Sequence, residues 1–189
     1  MRLFATASQT VGPFFTIGLN PLARNNLVPS GAAGKLCTIR GRILDGDGVP
    51  VPDGMIETWQ ANAAGEYVRA EISAPSSRAT EFTGFGRIST DERGAFQFTT
   101  ILPGPIPAPG GGVQAPHIAV LVFARGLLRH LVTRIYFPDE PANAADPILK
   151  MVPPGRRSTL IARKISESSD ILECDVVLQG EAETVFFEA

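Results

Sequence analysis

The stretch LCTIRGRIL, residues 36–44, alternates apolar with polar side chains and decides the fold class. Successive side chains of a β-strand point to opposite faces of the sheet. Cys37, Ile39 and Ile43 would therefore share a buried face, and Arg40 would point to solvent. The turn-forming letters GDGVPVPDG follow directly. This pattern predicts a half-buried strand that ends in a turn.

Similar short runs rich in Val, Ile, Phe and Thr recur along the chain. Glycine (19 residues) and proline (16) are abundant and lie mostly between these runs. The runs predict further strands at Met55–Gln60, Phe85–Ser89, Ala95–Thr100, Ile118–Phe123, His130–Phe137 and Ile171–Leu178. Apolar periodicity of helical length is absent from the sequence. We therefore predict an all-β fold, an antiparallel β-sandwich with an N-terminal arm and long loops at Asn20–Lys35 and Pro105–Gly112.

The sequence allows more detailed predictions for one turn and two of these strands. Thr90–Gly94 is expected to close a β-hairpin, with Gly94 in the left-handed conformation. Ile118–Phe123 is apolar at every position, which is typical of a strand covered on both faces. The next strand alternates, so that Arg134 and Tyr136 belong to a more polar face. Structural packing is the expected role of both residues.

Length and charge limit the range of functions. With 189 residues and no internal repeat, residues 1–189 are expected to form a single domain with a sizeable core. Seventeen basic and 19 acidic residues give a net charge of -2, which argues against nucleic acid and anionic membranes as partners. The N-terminus lacks the pattern of a signal peptide. Cys37 and Cys174 lie in predicted strands, and buried thiols favour a reducing, cytoplasmic location.

His117 and Tyr67 are the candidate metal ligands. Residues i and i+2 of a strand point the same way, roughly 6.6 to 6.8 Å apart, so a His-x-His pair can bind one metal ion. Here Ala119 stands at the second position, and the chain's other histidine, His130, lies further on. Spacing alone leaves two interpretations open. His117 is a hydrogen-bonded core residue and Tyr67 a packing residue, or both remain from a metal site.

Two further segments could contact a ligand or a partner. SQTVGPFF, residues 8–15, combines a glycine and a proline with paired phenylalanines, as in an arm that docks on another surface. The alternative is an arm that packs on its own domain. FARG, residues 123–126, places Arg125 at the end of a buried strand, where its guanidinium could bind a carboxylate or stay solvated. The sequence contains no nucleophile motif of the Gly-x-Ser-x-Gly type.

Seven stretches of the chain, in order, resemble the intradiol ring-cleavage dioxygenases. They are SQTVGPFF, GRILDGDGVPVPDGMIETWQANAAGEY, GFGRISTDERGAFQFTTILPG, APHIAVLVFARG, RIYFPDE, RRSTLIAR and GEAETVFFEA. Together they cover most of the sequence. The resemblance implies the β-sandwich of that family.

The resemblance also implies a deficit of metal ligands. That family holds a non-haem ferric ion with two tyrosines and two histidines, the histidines in the pattern Pro-x-His-x-His. In this chain Tyr67 and His117 match, Ile106 lies near the place of the second tyrosine, and Ala119 replaces the second histidine. Two groups would leave most of the coordination sphere of iron to water. The resemblance thus implies that this chain binds no metal and that Tyr67 and His117 are vestigial.

A partner chain is a further implication of the resemblance. Some members of the family consist of paralogous α and β chains, with Fe(III) in the β chain and the substrate cavity at their junction. By this likeness the chain is of the α type, residues 1–35 dock on the β chain, and the pairs assemble further. Thr10, Gly12, Pro13 and Arg125 would bind substrate, and no residue of this chain would be catalytic. Arg125 would offset the carboxylate of 3,4-dihydroxybenzoate, which O2 converts to 3-carboxy-cis,cis-muconate.

Two other functions are compatible with the residues. One is a stand-alone metalloenzyme that uses Tyr67, His117 and further ligands, which predicts a coloured, iron-loaded protein when the chain is expressed alone. The other is a non-enzymatic β-sandwich binding module. It predicts a stable monomer without dioxygenase activity in any pairing.

Overall fold

The computed structural model describes residues 4, 6–68, 82–166 and 170–188, which form two β-sheets packed face to face. The predicted β-sandwich is confirmed. The described strands are β1 (Leu36–Leu44), β2 (Met55–Trp59), β3 (Phe85–Ser89), β4 (Ala95–Ile101), β5 (Ile106–Pro107), β6 (Val113–Gln114), β7 (His117–Phe123), β8 (Leu131–Tyr136), β9 (Arg163–Lys164), β10 (Ile171–Glu173) and β11 (Val176–Val177). Strands β5 and β6 pair only with each other, as a small separate sheet, so the predicted loop Pro105–Gly112 contains one short strand.

The first sheet is built around β1. Strand β4 pairs with it antiparallel, from Leu36 opposite Ile101 to Arg42 opposite Ala95. On its other edge β10 and β11 pair with β1 in parallel, and β9 continues the sheet beyond β10. These parallel pairs differ from the purely antiparallel sandwich that the sequence predicts. Alternation along β1 reveals which face is buried, but it does not specify the direction of the neighbouring strands.

The predicted strand Ile171–Leu178 is interrupted between β10 and β11. At the break, the backbone N–H of Arg42 donates a 2.9 Å hydrogen bond to Oδ1 of Asp175, so a side chain replaces a backbone acceptor. Glycine is required opposite the break, because a Cβ at Gly41 would overlap the carbonyl oxygen of Cys174. The close approach of these two backbones keeps the short strands aligned with β1.

The second sheet has the order β3–β2–β7–β8 and is antiparallel throughout. Because β3 belongs to this sheet and β4 to the first, the predicted hairpin at Thr90–Gly94 is wrong. The turn instead carries the chain across the sandwich. The left-handed conformation of Gly94 is confirmed, with φ of 67°. The side chain of Asp91 holds the turn by accepting 2.8 Å hydrogen bonds from the N–H groups of Arg93 and Ala95.

The main core lies between the inner faces of the two sheets. Cys37, Ile39 and Ile43 of β1 are buried there, as predicted. Full burial of an aliphatic side chain of this size contributes about 1.5 to 3 kcal/mol. Other members of the core are Ile56, Ile88, Phe96, Phe98, Ile118, Val120, Val122, Ile135, Leu172 and Val176.

A smaller apolar cluster covers one end of the second sheet. Tyr136 of β8 is fully buried in it together with Leu149 and Leu160. These two leucines come from the short helix α2 (Pro147–Met151) and the 3₁₀ helix Pro154–Leu160. The expected polar face of β8 is therefore wrong at Tyr136, because two short helices that follow the strand, which the sequence analysis did not predict, cover it. Structural packing of Tyr136 is confirmed.

Strand β7 is fully covered on one face only. Ile118 and Val120 are buried, whereas Ala119, Leu121 and Phe123 on the outer face are partly exposed. The prediction of a strand covered on both faces is therefore wrong for the chain by itself. The outer residues of β7 from Ala119 to Phe123 are apolar but remain partly exposed.

The N-terminal segment contributes to the sandwich as well as to the arm. Helix α1 (Pro13–Leu19), which the sequence analysis did not predict, has only seven residues, too few for a clear periodicity. Beyond it, Arg24 and Asn26 form isolated β-bridges to β3 and β4, and Leu27 is fully buried. Part of the predicted loop Asn20–Lys35 thus belongs to the core. No helix in the described part of the chain is long and apolar enough to cross a bilayer.

Candidate functional site

His117 begins β7 and is a buried, hydrogen-bonded residue. Its side chain is 5% exposed, and Nδ1 lies 2.7 Å from the carbonyl oxygen of Ala115. Because a carbonyl oxygen only accepts hydrogen bonds, Nδ1 carries the proton. Burial lowers the pKa of His117 below its usual value, and the positive charge of Arg134 acts in the same direction. The ring is therefore a neutral imidazole with its lone pair on Nε2.

Tyr67 packs on an aromatic neighbour. Its ring stacks on that of Trp59, with centroids 6.2 Å apart and planes at 12°, and both side chains stay about 40% exposed. Burial raises the pKa of Tyr67, although the charge of Arg134 opposes this shift. Tyr67 is thus a phenol at neutral pH.

The register of the second sheet brings Tyr67 and His117 to one surface. Trp59 of β2 lies opposite Ala119 of β7, and Ala119 lies opposite Arg134 of β8. His117 is two residues from Ala119 and points to the same face. Tyr67, stacked on Trp59, therefore lies on the surface to which His117 belongs, and the methyl group of Ala119 separates the indole from the guanidinium.

A hydrogen-bond network holds Arg134 at this surface. Its Nη1 donates to Oε1 of Gln114 at 2.7 Å and to the hydroxyl of Tyr136 at 3.3 Å. The Tyr136 hydroxyl donates to Oδ1 of Asp146 at 3.2 Å. Asp146 is fully buried and also accepts hydrogen bonds from the N–H of Ala115 and from two N–H groups of α2. The network links α2, β8 and the approach to β7.

The residues at this surface do not fit a ferric ion. Of the four positions compared with the iron ligands, only Tyr67 and His117 carry donor side chains, since Ala119 and Ile106 are hydrocarbon. Tyr136 lies beside His117, but its hydroxyl is engaged in hydrogen bonds with Arg134 and Asp146. The guanidinium of Arg134 adds a positive charge that opposes the approach of a metal cation. Within residues 4, 6–68, 82–166 and 170–188, no three His, Cys, Asp or Glu side chains lie close enough together to hold a metal ion.

The N-terminal arm contacts the opposite end of β7. The hydroxyl of Thr10 accepts a 2.7 Å hydrogen bond from the backbone N–H of Gly126. Gly126 has φ of 87°, a conformation that suits glycine. The ring of Phe15 lies 5.4 Å from that of Phe123. These contacts agree with the alternative in which the arm packs on its own domain.

Arg125 projects from the same end of β7. Its side chain is 68% exposed, and Nε lies 3.1 Å from Oδ2 of Asp53. Asp53 belongs to the turn between β1 and β2, which sequence analysis interpreted only as a turn. Arg125 is therefore neither buried nor merely solvated, because it forms an ion pair across two turns.

Gly12 and Pro13 follow Thr10 in the arm, and Pro13 is the first residue of α1. Gly12 is exposed, and a Cβ at this position would meet no described atom within 4 Å. The structure thus brings Thr10 next to Arg125, with Gly12 and Pro13 adjoining. This region lies at the other end of β7 from His117, roughly 20 Å away for six residues of strand.

A groove of about 730 Å³ runs beside the arm. It is lined by residues of the arm, of the loop after β7 and of the C-terminal segment, among them Val11, Phe15, Phe123, His130 and Phe187. The ring of His130 lies 5.6 Å from that of Phe123. The groove lies next to the region of Thr10 and is lined by both polar and apolar residues.

Comparison with known proteins identifies the family. The sequence model of the family described as Dioxygenase matches residues 12–180. The protocatechuate 3,4-dioxygenase alpha chain of Burkholderia cepacia is 40% identical over 197 aligned residues, which cover 97% of this chain and 96% of the relative. The chain belongs to the intradiol dioxygenase family.

Other intradiol dioxygenases are similar to it as well. The protocatechuate 3,4-dioxygenase beta chain of Burkholderia cepacia is 35% identical over 170 residues, covering 86% of this chain and 72% of that one. Among solved structures, the dioxygenase domain of a dioxygenase carbohydrate-binding protein fusion from Streptomyces sp. SirexAA-E has a TM-score of 0.64 and 28% identity, covering 84% of this chain and 88% of that chain.

Sequence analysis missed two acidic residues of this intradiol dioxygenase chain. Asp146 precedes Pro147 at the start of α2, and an Asp before a Pro is a helix-start signal that could have located it. Asp53 has no comparable signal, because its partner Arg125 lies on a different turn.

Proposed function

We propose that the chain is the α subunit of a protocatechuate 3,4-dioxygenase. In this assignment it binds no iron, and it lines the substrate cavity of an Fe(III) site held by a paralogous β chain. The complex cleaves 3,4-dihydroxybenzoate between its two hydroxyl-bearing carbons, and both atoms of O2 enter 3-carboxy-cis,cis-muconate. The likeness to the Burkholderia cepacia alpha chain over 97% of this chain supports the assignment.

The observation that carries the proposal is the set of side chains around His117. Ala119 offers no donor atom, and Arg134 lies opposite it with a permanent positive charge. Burial raises the pKa of Tyr67, which disfavours the phenolate that ferric iron prefers. These features support a chain that leaves metal binding to its partner.

Exposed apolar side chains support a role for residues 1–35 in docking on the β chain. Phe4, Ile17 and Leu22 are 83%, 65% and 58% exposed. The outer face of β7 adds further apolar surface that is open in the isolated chain. Apolar surface of this kind is typical of protein interfaces. We propose that the β chain covers it and that the pairs assemble into a higher-order complex.

The region of Thr10 and Arg125 is the proposed contribution of this chain to substrate binding. Arg125 can offset the carboxylate of the substrate, since guanidinium groups bind carboxylates with paired hydrogen bonds. Gly12 is exposed at the start of α1, where its carbonyl accepts a hydrogen bond from the N–H of Phe15, and a Cβ there would meet no described atom within 4 Å. The proposed role of Gly12 and Pro13 is to let the backbone approach the flat aromatic ring closely. The α chain thus positions the substrate and does not take part in bond chemistry.

We also propose that the protein is located in a reducing compartment, the cytoplasm. Cys37 and Cys174 are both free and buried. Burial raises the pKa of each thiol to about 12, so both remain protonated and unreactive. Two thiols of this kind are compatible with a protein that stays in a reducing compartment.

Expression of the chain with and without its β partner tests the proposal. Alone, the chain should be colourless, free of iron and inactive, because it lacks the donors for ferric iron. Co-expressed with the β chain, it should yield one coloured complex that consumes O2 in the presence of 3,4-dihydroxybenzoate. Visible absorption, iron content and oxygen uptake are the three measurements.

Two outcomes would contradict the proposal. A coloured and active protein from the α chain alone would favour the stand-alone metalloenzyme. A stable monomer that forms no active complex with the β chain would favour the binding module.

A further inference from the structure

The ion pair between Asp53 and Arg125 continues the pairing of two strands. Met55 of β2 lies opposite Phe123 of β7 in the antiparallel register. Asp53 precedes Met55 by two residues, and Arg125 follows Phe123 by two. The two charged residues are therefore directly opposite each other beyond the strand ends, and Nε of Arg125 lies 3.1 Å from Oδ2 of Asp53. The register between β2 and β7 therefore places Asp53 and Arg125 next to each other.

Thr90 fixes the turn that carries Asp53. Its Oγ1 accepts a 2.9 Å hydrogen bond from the N–H of Gly54 and donates a 2.8 Å hydrogen bond to the carbonyl of Val51. The N–H of Thr90 donates to the carbonyl of Gly54 at 2.8 Å. Gly54 is buried, and a Cβ there would lie 2.7 Å from Cδ1 of Ile43. Asp53 is thus presented by a rigid backbone.

The backbone of Arg125 is held on both sides. Ala124 is buried, and the N–H of Leu127 donates to its carbonyl at 3.3 Å. The N–H of Gly126 donates to the hydroxyl of Thr10. The backbone of Arg125 is therefore fixed, and the conformation of its side chain is what can still change.

We propose that Asp53 is a positioning residue that orients Arg125 toward the carboxylate of the aromatic substrate, an inference that rests on the function proposed above. The closest contact uses Nε, and no described residue accepts a hydrogen bond from Arg125, so the terminal Nη groups are available for a carboxylate. Oδ1 of Asp53 is buried without a hydrogen-bond partner among the described residues. Asp53 therefore acts on Arg125 alone, and holding its rotamer lowers the entropy cost of substrate binding.

Asp53→Asn in the assembled α/β complex tests the inference, because it removes the charge and keeps the shape. The KM for 3,4-dihydroxybenzoate should rise about two- to fivefold, the range expected for a partly exposed ion pair. The kcat should change less than about twofold, since positioning mainly affects binding. Affinity for the neutral analogue 3,4-dihydroxybenzamide, measured as a competitive inhibitor, should not change. Asp47→Asn is the matched control, because Asp47 lies exposed in the same turn.

A double-variant cycle with Arg125→Ala separates the possible failures. In the Arg125→Ala background, Asp53→Asn should have no further effect on KM. A lower KM in Asp53→Asn would mean that Asp53 competes with the substrate for Arg125, and an unchanged KM would mean that it does not position Arg125. Either result overturns the inference. Unchanged kinetics in Arg125→Ala would instead show that the proposed substrate role of Arg125 is wrong, and the inference would fall with it.

Discussion

The hydroxyl of Thr10 accepts its hydrogen bond from the backbone N–H of Gly126, the residue that follows Arg125. This hydrogen bond and the packing of Phe15 on Phe123 join the N-terminal arm to the end of β7. The hydrogen bond also fixes the position of the Arg125 backbone relative to the arm. Changes at Thr10 should consequently affect substrate binding through Arg125 more than they affect the stability of the sandwich.

Thr10→Val removes the acceptor and keeps the side-chain shape. A typical hydrogen bond contributes about 0.5 to 1.5 kcal/mol. We therefore expect kcat/KM of the assembled complex to fall about two- to tenfold, measured by oxygen uptake. Thr10→Ser keeps the hydroxyl and is the control. Equal losses in both variants would show that the methyl group, and not the hydrogen bond, matters.

Arg125→Ala removes the proposed carboxylate partner. A hydrogen bond to a charged group contributes about 1.5 to 3 kcal/mol, so kcat/KM for 3,4-dihydroxybenzoate should fall roughly ten- to a hundredfold. Iron content should not change, because the β chain holds the metal. Arg93→Ala, in the exposed turn between β3 and β4, is a control for the loss of one positive charge. Wild-type kinetics in the assembled Arg125→Ala complex would contradict the assignment.

Asp146→Ala should strongly destabilise the fold. The substitution leaves the Tyr136 hydroxyl and three backbone N–H groups buried without their acceptor. Each such group costs about 1 to 3 kcal/mol, so we expect a loss of about 3 kcal/mol or more in the free energy of unfolding. Urea unfolding followed by circular dichroism measures it. Asp47→Ala, at an exposed position, should change stability by less than about 0.5 kcal/mol. A loss at Asp146 as small as this would contradict the network.

His117 should make stability depend on pH below neutrality. Because burial lowers its pKa in the folded state, unfolding is coupled to proton uptake by His117. Its stabilising contribution is complete above the ordinary histidine pKa of about 6.5 and is lost as the pH falls through the folded-state pKa. The wild-type free energy of unfolding should therefore fall between pH 7 and pH 5 by up to about 1.4 kcal/mol per pH unit more than that of His117→Gln. Urea titrations at several pH values would give both slopes, and equal slopes would exclude this coupling.

Strands with strict alternation could be predicted from the sequence. Residues 36–44 have the observed bounds of β1, and Ile39 and Ile43 are buried as expected. The identity of a strand's neighbours could not be predicted, because it depends on segments far away in the chain. For this reason the turn at Thr90–Gly94, which crosses between the sheets, was mistaken for a hairpin. The burial of Tyr136 was missed because α2 has only five residues, too few for a helical periodicity.

Only part of the candidate site could likewise be predicted from the sequence. The spacing of Tyr67, His117 and Ala119 left two interpretations open, and the deficit of metal ligands is a prediction that rests on the family resemblance. The location of the Arg134 guanidinium at that surface could not be predicted, because it depends on the register between β7 and β8. The partnership of Asp53 with Arg125 likewise depends on the register between β2 and β7.

The position of β1 between β4 and the C-terminal strands has a consequence for biosynthesis. The side chains of Arg40 and Glu173, which face each other across β1 and β10, are 133 residues apart in the sequence. Until β10 and β11 emerge from the ribosome, one edge of β1 has no partner. Long-range pairing of this kind is slow, and an open strand edge can pair with other chains. The nascent polypeptide is therefore vulnerable to aggregation until β10 and β11 have been translated and have paired with β1.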